Sequence, residues 1–329
     1  MIQEAPQRNL ALDLVRVTEA AALASSRWLG KGDKIKGDLA AVDAMRLSFN
    51  VLDMSGVVVI GEGEKDRAPM LYNGERLGTG SGPAMDVAVD PVEGTSLLAY
   101  GRPNAIAVVA LAPRGTMFDP GPGFYMQKIA VSAKARDQVD IDAPVGDNLR
   151  KIARAMDKNV DDLVVFVLDK PRHKDLISEI RKAGARIQLH TDGDVAGALM
   201  AVSPSGDVDV MMGTGGTPEG VLAAAAIIAM GGEMHCRLNP QSEQEKNNLI
   251  QAGYDLDRVL TVKELIRSED VFFAATGISG GTFLKGVSFT GQGALTHSMV
   301  VRGKTGTLRR IESLHSFDKL MRISSIKYT

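Results

Sequence analysis

Residues 84–95 read AMDVAVDPVEGT, an apolar stretch that ends in a turn with two acidic side chains. The valine-rich first part predicts a buried β-strand, and Pro91 prevents that strand from continuing. In the turn, Asp90 and Glu93 are candidate metal ligands, and the Thr95 hydroxyl is a candidate for orienting a water molecule. An ordinary Asx-type turn at the end of a strand is the alternative interpretation of the same residues.

A second acidic turn follows another predicted strand. Residues 56–60, GVVVI, are typical of a buried strand, and residues 61–66 that follow them read GEGEKD. Because ligands in α/β sheets bind beyond the carboxyl ends of strands, Glu62, Glu64 and Asp66 are expected at the same edge as the first turn. Carboxylates at this density repel one another, and oxygen ligands without His or Cys suit Mg²⁺ or Mn²⁺. A solvated acidic turn is the alternative.

The second half of the chain predicts alternating strands and helices, which are typical of parallel βα units. Three of its strand-to-helix turns carry polar or glycine-rich motifs: KPRH at 170–173, DGD at 192–194 and GTGGTPEG at 213–220. Helix N-termini and glycine-rich backbone amides attract phosphate. Lys170 and Arg172 are therefore candidate phosphate ligands, with a solvated helix start as the alternative. Asp192 and Asp194 are candidates for binding sugar hydroxyls, and Asp194 also fits a helix N-cap.

Hydrophobic periodicity in the first half predicts helices over residues 9–29 and 38–50 and a strand over residues 104–112. A turn at residues 113–115 is expected to reverse the chain. Residues 124–131 are then expected to pair antiparallel with the strand that precedes this turn.

The length of 329 residues and a hydrophobic content of 44% predict two domains or one large α/β unit. We expect residues 1–150 to form an N-terminal α/β half that holds most of the metal-binding acids. Residues 151–329 are expected to form a C-terminal α/β half with the rim that binds substrate phosphate.

Charge and cysteine content exclude several classes of function. The formal net charge is −2, which gives no electrostatic basis for non-specific nucleic-acid binding. The single cysteine, Cys236, excludes a disulfide framework and a cysteine-based zinc site. The longest apolar run, residues 221–230, covers about half a bilayer, and the N-terminus has no apolar core of a signal peptide. A cytoplasmic location without membrane or nucleic-acid partners is expected.

Taken together, the motifs resemble those of the class II fructose-1,6-bisphosphatases of the GlpX type, within the Mg- or Mn-dependent, lithium-sensitive sugar phosphatases. The resemblance covers nearly the whole chain. It is carried by motifs in one order: RVTEAA at 16–21, WLGKGDK at 28–34, IGEGE at 60–64, APM at 68–70, DPVEGT at 90–95, KPRH at 170–173, DGD at 192–194, GTPEG at 216–220 and ATGI at 275–278. Such a family has a layered αβαβα sugar-phosphatase fold, which is consistent with two α/β halves.

The resemblance also implies roles for individual residues. The implied metal ligands are Asp38, Glu62, Asp90, Glu93 and Glu219. Asp38 and Glu219 rest on the resemblance alone. The implied substrate-binding residues are Lys34, Glu93, Gly94, Thr95, Tyr125, Lys170, Pro171, Arg172, Asp192, Gly193, Asp194 and Gly216. Asp66 and Thr95 are the expected catalytic residues, and the roles of Asp86 and Glu64 are left open.

The implied activity is that of a phosphoric monoester hydrolase in gluconeogenesis, which converts fructose 1,6-bisphosphate to fructose 6-phosphate and phosphate. A bound Mn²⁺ or Mg²⁺ would lower the pKa of the attacking water, which Thr95 and Asp66 would orient and deprotonate. Lys170, Arg172 and Tyr125 would hold the second phosphate or the sugar end. A homodimer or homotetramer is expected from the resemblance.

Three other functions remain open at this point. A sedoheptulose-1,7-bisphosphatase, or an enzyme with both specificities, would share every group named above. An inositol-phosphate phosphatase would not need the pair of Lys170 and Arg172. A non-catalytic sugar-phosphate sensor would keep this basic rim but would not need five converging carboxylates.

Overall fold

A computed structural model describes residues 9–63, 70–204 and 206–323, in which two β-sheets alternate with three layers of helices. Within these residues the α-helices are α1 (Ala11–Ser26), α2 (Lys34–Phe49), α3 (Thr95–Ala99), α4 (Val145–Ala155), α5 (Lys174–Ala183), α6 (Asp194–Val202), α7 (Thr217–Met230), α8 (Glu243–Gln251), α9 (Val262–Leu265) and α10 (Phe317–Ile323). The strands are β1 (Ser55–Ile60), β2 (Arg76–Leu77), β3 (Ala84–Glu93), β4 (Ile106–Pro113), β5 (Tyr125–Val131), β6 (Val164–Leu168), β7 (Arg186–His190), β8 (Val210–Gly216), β9 (Glu233–Leu238), β10 (Leu260–Thr261), β11 (Phe272–Gly277), β12 (Ser288–Phe289), β13 (Gly293–Arg302) and β14 (Thr307–Ser316).

The first sheet brings the two predicted acidic turns to one edge. Its strand order is β12-β13-β11-β4-β3-β1-β2, and β14 also pairs with β13. Within it β1 and β3 are parallel neighbours, so the turn after β1 and the end of β3 lie side by side. This arrangement confirms that the two acid-bearing segments meet at the carboxyl ends of neighbouring strands.

The second sheet has the order β10-β9-β5-β8-β6-β7. Its strands β6, β7 and β8 are parallel to one another, as the alternation of strands and helices predicted. The expected pairing of residues 124–131 with the strand before the turn at 113–115 is wrong. That segment forms β5, which pairs with β8 and β9. The reason is that β3 and β11 already occupy both edges of β4, so β5 joins the other sheet.

The apolar clusters define the layers. Along β4, Ala107, Val109 and Leu111 face α1 and α2, whereas Val108 and Ala110 face α6 and α7. Helices α6 and α7 therefore lie between the two sheets and are buried on nearly every side. Helices α4 and α5 cover the outer face of the second sheet. The order is αβαβα, which confirms the layered α/β fold that the resemblance implied.

Several boundaries differ from the sequence expectations. Helix α1 ends at Ser26, and α2 begins at Lys34 because the side chain of Asp33 accepts the Lys36 N–H (3.0 Å) as a helix cap. Each sheet takes strands from both sides of residue 150, and the division of the chain there into two halves stays a prediction. None of the described helices is long and apolar enough to cross a membrane.

Candidate active site

A cleft of about 580 Å³ lies at the carboxyl ends of β3, β6 and β8 and is lined by residues from both sheets. Most of the residues predicted for the site line it: Asp38, Glu62, Asp90, Glu93, Gly94, Thr95, Tyr125, Lys170, Arg172, Asp192, Asp194, Gly216 and Glu219. Among the described residues, Lys34, Pro171 and Gly193 were predicted for the site but do not line this cleft. Asp66 and Glu64 lie outside the described residues.

Strand β3 continues through Pro91 to Glu93, so the expectation that Pro91 ends the strand is wrong, and its last acids line the cleft. The register of β3 shifts between Asp90 and Glu93, and Asp90 Oδ1 accepts the Val92 N–H (3.0 Å). The Asx-type turn that was the alternative interpretation is therefore present, and it positions the candidate ligands. Gly94 caps α3 with φ +88°, where an added Cβ would lie 2.8 Å from a Leu97 methyl group. Glycine is needed there, and Thr95 consequently starts α3.

Glu62 and Asp38 form one part of the acidic wall. Glu62 follows β1, and Asp38 lies near the start of α2. Burial, followed by the nearby Asp38 carboxylate, raises the pKa of Glu62 to about 8. Burial raises the pKa of Asp38 to about 6. The raised pKa values mean that the charged form of each carboxylate is disfavoured. A cation bound between them would stabilise the charged forms.

The second part of the acidic wall is buried more deeply. Burial is the main cause that raises the pKa values of Asp90, Glu93 and Glu219 above their usual range. Repulsion from neighbouring carboxylates adds to the shift in each case. The Val195 N–H, which donates to Glu93 Oε1 (3.0 Å), opposes the shift of the Glu93 pKa. The Lys128 ammonium opposes the shift of the Glu219 pKa.

The chemistry of these side chains fits a divalent cation. In the described part of the chain, three buried carboxylate oxygens at the cleft have no hydrogen-bond partner, namely Glu93 Oε2, Asp194 Oδ1 and Glu219 Oε2. A buried acceptor without a donor is costly unless something else binds it. All candidate donors are carboxylate oxygens, which suit hard cations. Over residues 9–63, 70–204 and 206–323 no three acidic, His or Cys side chains form a preformed chelating group, so the fit rests on donor chemistry.

The opposite wall of the cleft is cationic and aromatic. Lys170 and Arg172 follow β6, and Tyr125 begins β5. The Arg172 Nε donates to the Thr214 carbonyl (2.9 Å), and its guanidinium carbon lies 5.1 Å from the centre of the Tyr125 ring. The planar cation is thus held against the protein through one N–H and one ring face. Its remaining N–H groups are available for an anion.

One acid and one lysine of the predicted site region, Asp86 and Lys34, make contacts outside the cleft that were not expected. Asp86 Oδ2 accepts the N–H groups of Thr116 and Met117 (2.9 and 3.1 Å), which fixes the turn after β4. Its role is therefore structural. Lys34 donates to Ser96 Oγ (2.8 Å) beside the first turn of α3. Its predicted contact with substrate stays a prediction.

Comparison with known proteins identifies the family of this chain. The family model described as bacterial fructose-1,6-bisphosphatase, glpX-encoded, matches residues 8–315. The chain belongs to this family. A class 2 fructose-1,6-bisphosphatase of Haemophilus influenzae is 45% identical over 97% of this chain and 99% of its own length. The fructose-1,6-bisphosphatase 1 class 2 of Escherichia coli K12 is 44% identical over 95% of this chain and 97% of its own length.

Phosphatases of this GlpX-type family generally need a divalent metal, which agrees with the oxygen-only donor set. The family name also accounts for the resemblance carried by the motifs between residues 16 and 278. Membership does not assign roles to single side chains, so the roles of the individual cleft residues stay predictions.

Lys128 was missed by the sequence reasoning although it touches the site. It is buried (3% exposed), its Nζ forms an ion pair with Asp194 Oδ2, and it also donates to the Gly216 carbonyl (2.7 Å). Lysine is almost never fully buried unless it is paired. The signal was present in the sequence, since Lys128 directly precedes the apolar end of β5, residues 129–131, and takes a buried position in that strand.

Proposed function

We propose that the protein hydrolyses the 1-phosphate of fructose 1,6-bisphosphate, giving fructose 6-phosphate and inorganic phosphate. The observation that carries this proposal is the pairing of two unlike walls in one cleft. A wall of carboxylates suits a cation that binds the reacting phosphate, and a wall with Lys170 and Arg172 suits a second phosphate. Membership of the glpX-encoded bacterial family and the names of its relatives support the same substrate. Such an activity is consistent with gluconeogenesis.

In this proposal, Asp38, Glu62, Asp90, Glu93 and Glu219 hold the divalent cation or cations. A cation bound there supplies positive charge to the reacting phosphate and lowers the pKa of a nearby water. The Thr95 hydroxyl, at the first residue of α3, orients that water. Asp66 accepts its proton. Because Thr95 directly follows the acidic turn, its hydroxyl and the carboxylates reach the same phosphate.

The protein's other cleft residues bind and orient the sugar. Arg172, Lys170 and Tyr125 hold the distal phosphate, which fixes the reacting phosphate at the acidic wall. Asp192 and Asp194 accept hydrogen bonds from sugar hydroxyls. The amides at the start of α6 and α7, next to Gly193 and Gly216, attract the negative charge of the substrate.

A divalent cation that is either Mn²⁺ or Mg²⁺, a cytoplasmic location and assembly into a homodimer or homotetramer are part of the proposal. The ligand chemistry is common to the two ions.

A phosphate-release assay tests the function. The purified protein is incubated with Mn²⁺ or Mg²⁺, with and without EDTA, on fructose 1,6-bisphosphate, sedoheptulose 1,7-bisphosphate, fructose 1-phosphate and inositol 1-phosphate. We expect EDTA-sensitive release that is fastest from fructose 1,6-bisphosphate. Faster release from sedoheptulose 1,7-bisphosphate would reassign the substrate. Tight binding of these sugars without turnover would instead favour a sensor and overturn the proposal.

A further inference from the structure

His173 closes the KPRH segment and is buried beneath the cationic wall, with 2% of its surface exposed. Both of its ring nitrogens contact the backbone. Nε2 accepts the N–H of Thr214 (2.7 Å), and Nδ1 lies 2.6 Å from the carbonyl oxygen of Leu168. The imidazole therefore bridges the end of β6, which is followed by Lys170 and Arg172, and β8, whose Thr214 carbonyl accepts from Arg172.

These partners define the protonation state of the ring. The Thr214 N–H can only donate, so Nε2 must be the acceptor, and the Leu168 carbonyl can only accept, so Nδ1 must carry the hydrogen. His173 is therefore neutral with its hydrogen on Nδ1. Burial, the main cause, lowers the pKa of His173, which agrees with a neutral ring.

Thr214 connects this histidine to Arg172. Strand β5 pairs with β8 along one edge, but along the other edge β6 pairs with it only at Val210 and Met211, so beyond Met211 no described strand lies along the edge that faces β6. At Thr214 two side chains take the place of a strand: His173 accepts the N–H, and Arg172 Nε donates to the carbonyl (2.9 Å). The two neighbouring side chains thus hold the same residue of β8.

The backbone beside the imidazole makes room for it. Gly213 has φ +138°, and a Cβ at this position would lie 3.0 Å from His173 Nε2. Any larger residue would push the ring away from Thr214. The sequence thus provides a glycine at the point where the ring must come closest to β8.

We propose that His173 is a positioning residue, which clamps the turn after β6 onto β8 and so holds Arg172 where it selects substrates with a second phosphate. This inference rests on the proposed function. Arg172 reaches the cleft from a turn of which only the histidine is buried, so the bond of the imidazole to Thr214 fixes the position of the backbone that carries the guanidinium. The expected consequence is a loss of selectivity, not of chemistry, when the bond to Thr214 is removed.

Two amide variants separate the two bonds of the ring. In His173→Gln the side-chain oxygen can reach the place of Nε2 and still accept from Thr214. In His173→Asn the shorter amide can replace only the Nδ1 donor to Leu168. The measurement is kcat/KM on fructose 1,6-bisphosphate and on fructose 1-phosphate, which lacks the distal phosphate. His173→Asn should lose roughly 10- to 100-fold on the bisphosphate, mainly through KM, and less than about 3-fold on the monophosphate. His173→Gln should stay within about 3-fold of wild type on both substrates.

A double-mutant cycle asks whether His173 acts through Arg172. In an Arg172→Ala background, His173→Asn should cause little further loss on the bisphosphate, because the group that it positions is gone. Losses that multiply, or equal losses on both substrates in the single variant, overturn the proposal. His235→Asn, on β9 and bonded to Glu233, is the matched control for loss of a histidine, and its selectivity should equal that of wild type.

Two further outcomes keep the test decisive. If the wild-type protein does not prefer the bisphosphate, the proposed function is wrong. If the wild-type protein prefers the bisphosphate and His173→Asn keeps that preference, only the role of His173 is wrong. Should His173→Asn not fold, as judged by thermal melting, hydrogen exchange in wild type decides. The Thr214 amide should exchange slowly because His173 accepts from it, and rapid exchange of that amide overturns the proposal.

Discussion

The two walls of the cleft are held in place by different means. On the acidic wall, burial and mutual repulsion raise the pKa values of Asp90, Glu93 and Glu219, and buried oxygens there lack partners. On the cationic wall, Arg172 is held by the Thr214 carbonyl and the Tyr125 ring. The acidic wall is thus electrostatically unfavourable by itself, whereas the protein's own contacts already hold Arg172 of the cationic wall in place. The difference predicts that the acidic wall depends on a bound cation and that the cationic wall is preformed.

The largest effect is expected on the acidic wall. Asp90→Ala should lower kcat by roughly 10³-fold or more, because a bound cation contributes several kcal/mol to the transition state. The variant should keep the wild-type fold by circular dichroism. Asp43→Ala, an exposed acid on α2, is the control and should keep full activity. Wild-type kcat in folded Asp90→Ala would remove the assignment of the acidic wall to cation binding.

A smaller effect is expected at Thr95, which begins α3 directly after the acidic turn that is proposed to bind the reacting phosphate. Thr95→Ala should lower kcat by about 10²-fold or more and leave KM nearly unchanged, since a water is oriented only in the transition state. Thr95→Ser keeps the hydroxyl and should recover most of the rate. Steady-state kinetics distinguish this role from substrate binding, which would appear as a higher KM at constant kcat.

The effect of a change in the cationic wall on kcat/KM should depend on whether the substrate has a second phosphate. Arg172→Ala removes a charge-assisted contact that contributes about 1.5–3 kcal/mol, which corresponds to roughly 10- to 150-fold in kcat/KM on the bisphosphate. The loss on fructose 1-phosphate should be small. An equal loss on both substrates would place Arg172 on the reacting phosphate and reverse the orientation of the sugar. Arg154→Ala, in the last turn of α4, is the control for charge.

The two walls also differ in how far the sequence predicted them. Asp90 and Glu93 lie in the last residues of β3 and Glu62 directly follows β1, so a local pattern and the rule for strand ends were enough. Asp38 and Glu219 were found only through the family resemblance, because they lie on helices whose approach to the cleft depends on tertiary packing. The layer order likewise came from the resemblance and not from strand and helix patterns.

Long-range pairing explains the remaining failures. Residues 124–131 were assigned to the wrong sheet because nothing local shows that both edges of β4 are occupied. Lys128 and His173 were missed as parts of the site because their partners lie 66 and 41 residues away. A lysine within an apolar strand and a histidine after a turn are visible in the sequence, but the contacts that give them a role arise only when the sheets assemble.

The smallest effect, and the sharpest test of the comparison, is the pH dependence of stability. The pKa of Glu62 is raised from 4.5 to about 8 and that of Asp38 from 3.8 to about 6. Between those values the native state holds protons that the unfolded state has released, so the free energy of unfolding falls as pH rises. Metal-free protein should therefore melt at a lower temperature at pH 8 than at pH 5.

Saturating Mn²⁺ should raise the melting temperature more at pH 8, because a cation binds only the deprotonated native carboxylates. Glu62→Gln should weaken this pH dependence, whereas Glu179→Gln, an exposed acid on α5, should leave it unchanged. If the melting temperature of the metal-free protein does not fall between pH 5 and pH 8, the carboxylates of the acidic wall are stable as anions without a bound cation, and the proposed difference between the two walls is wrong.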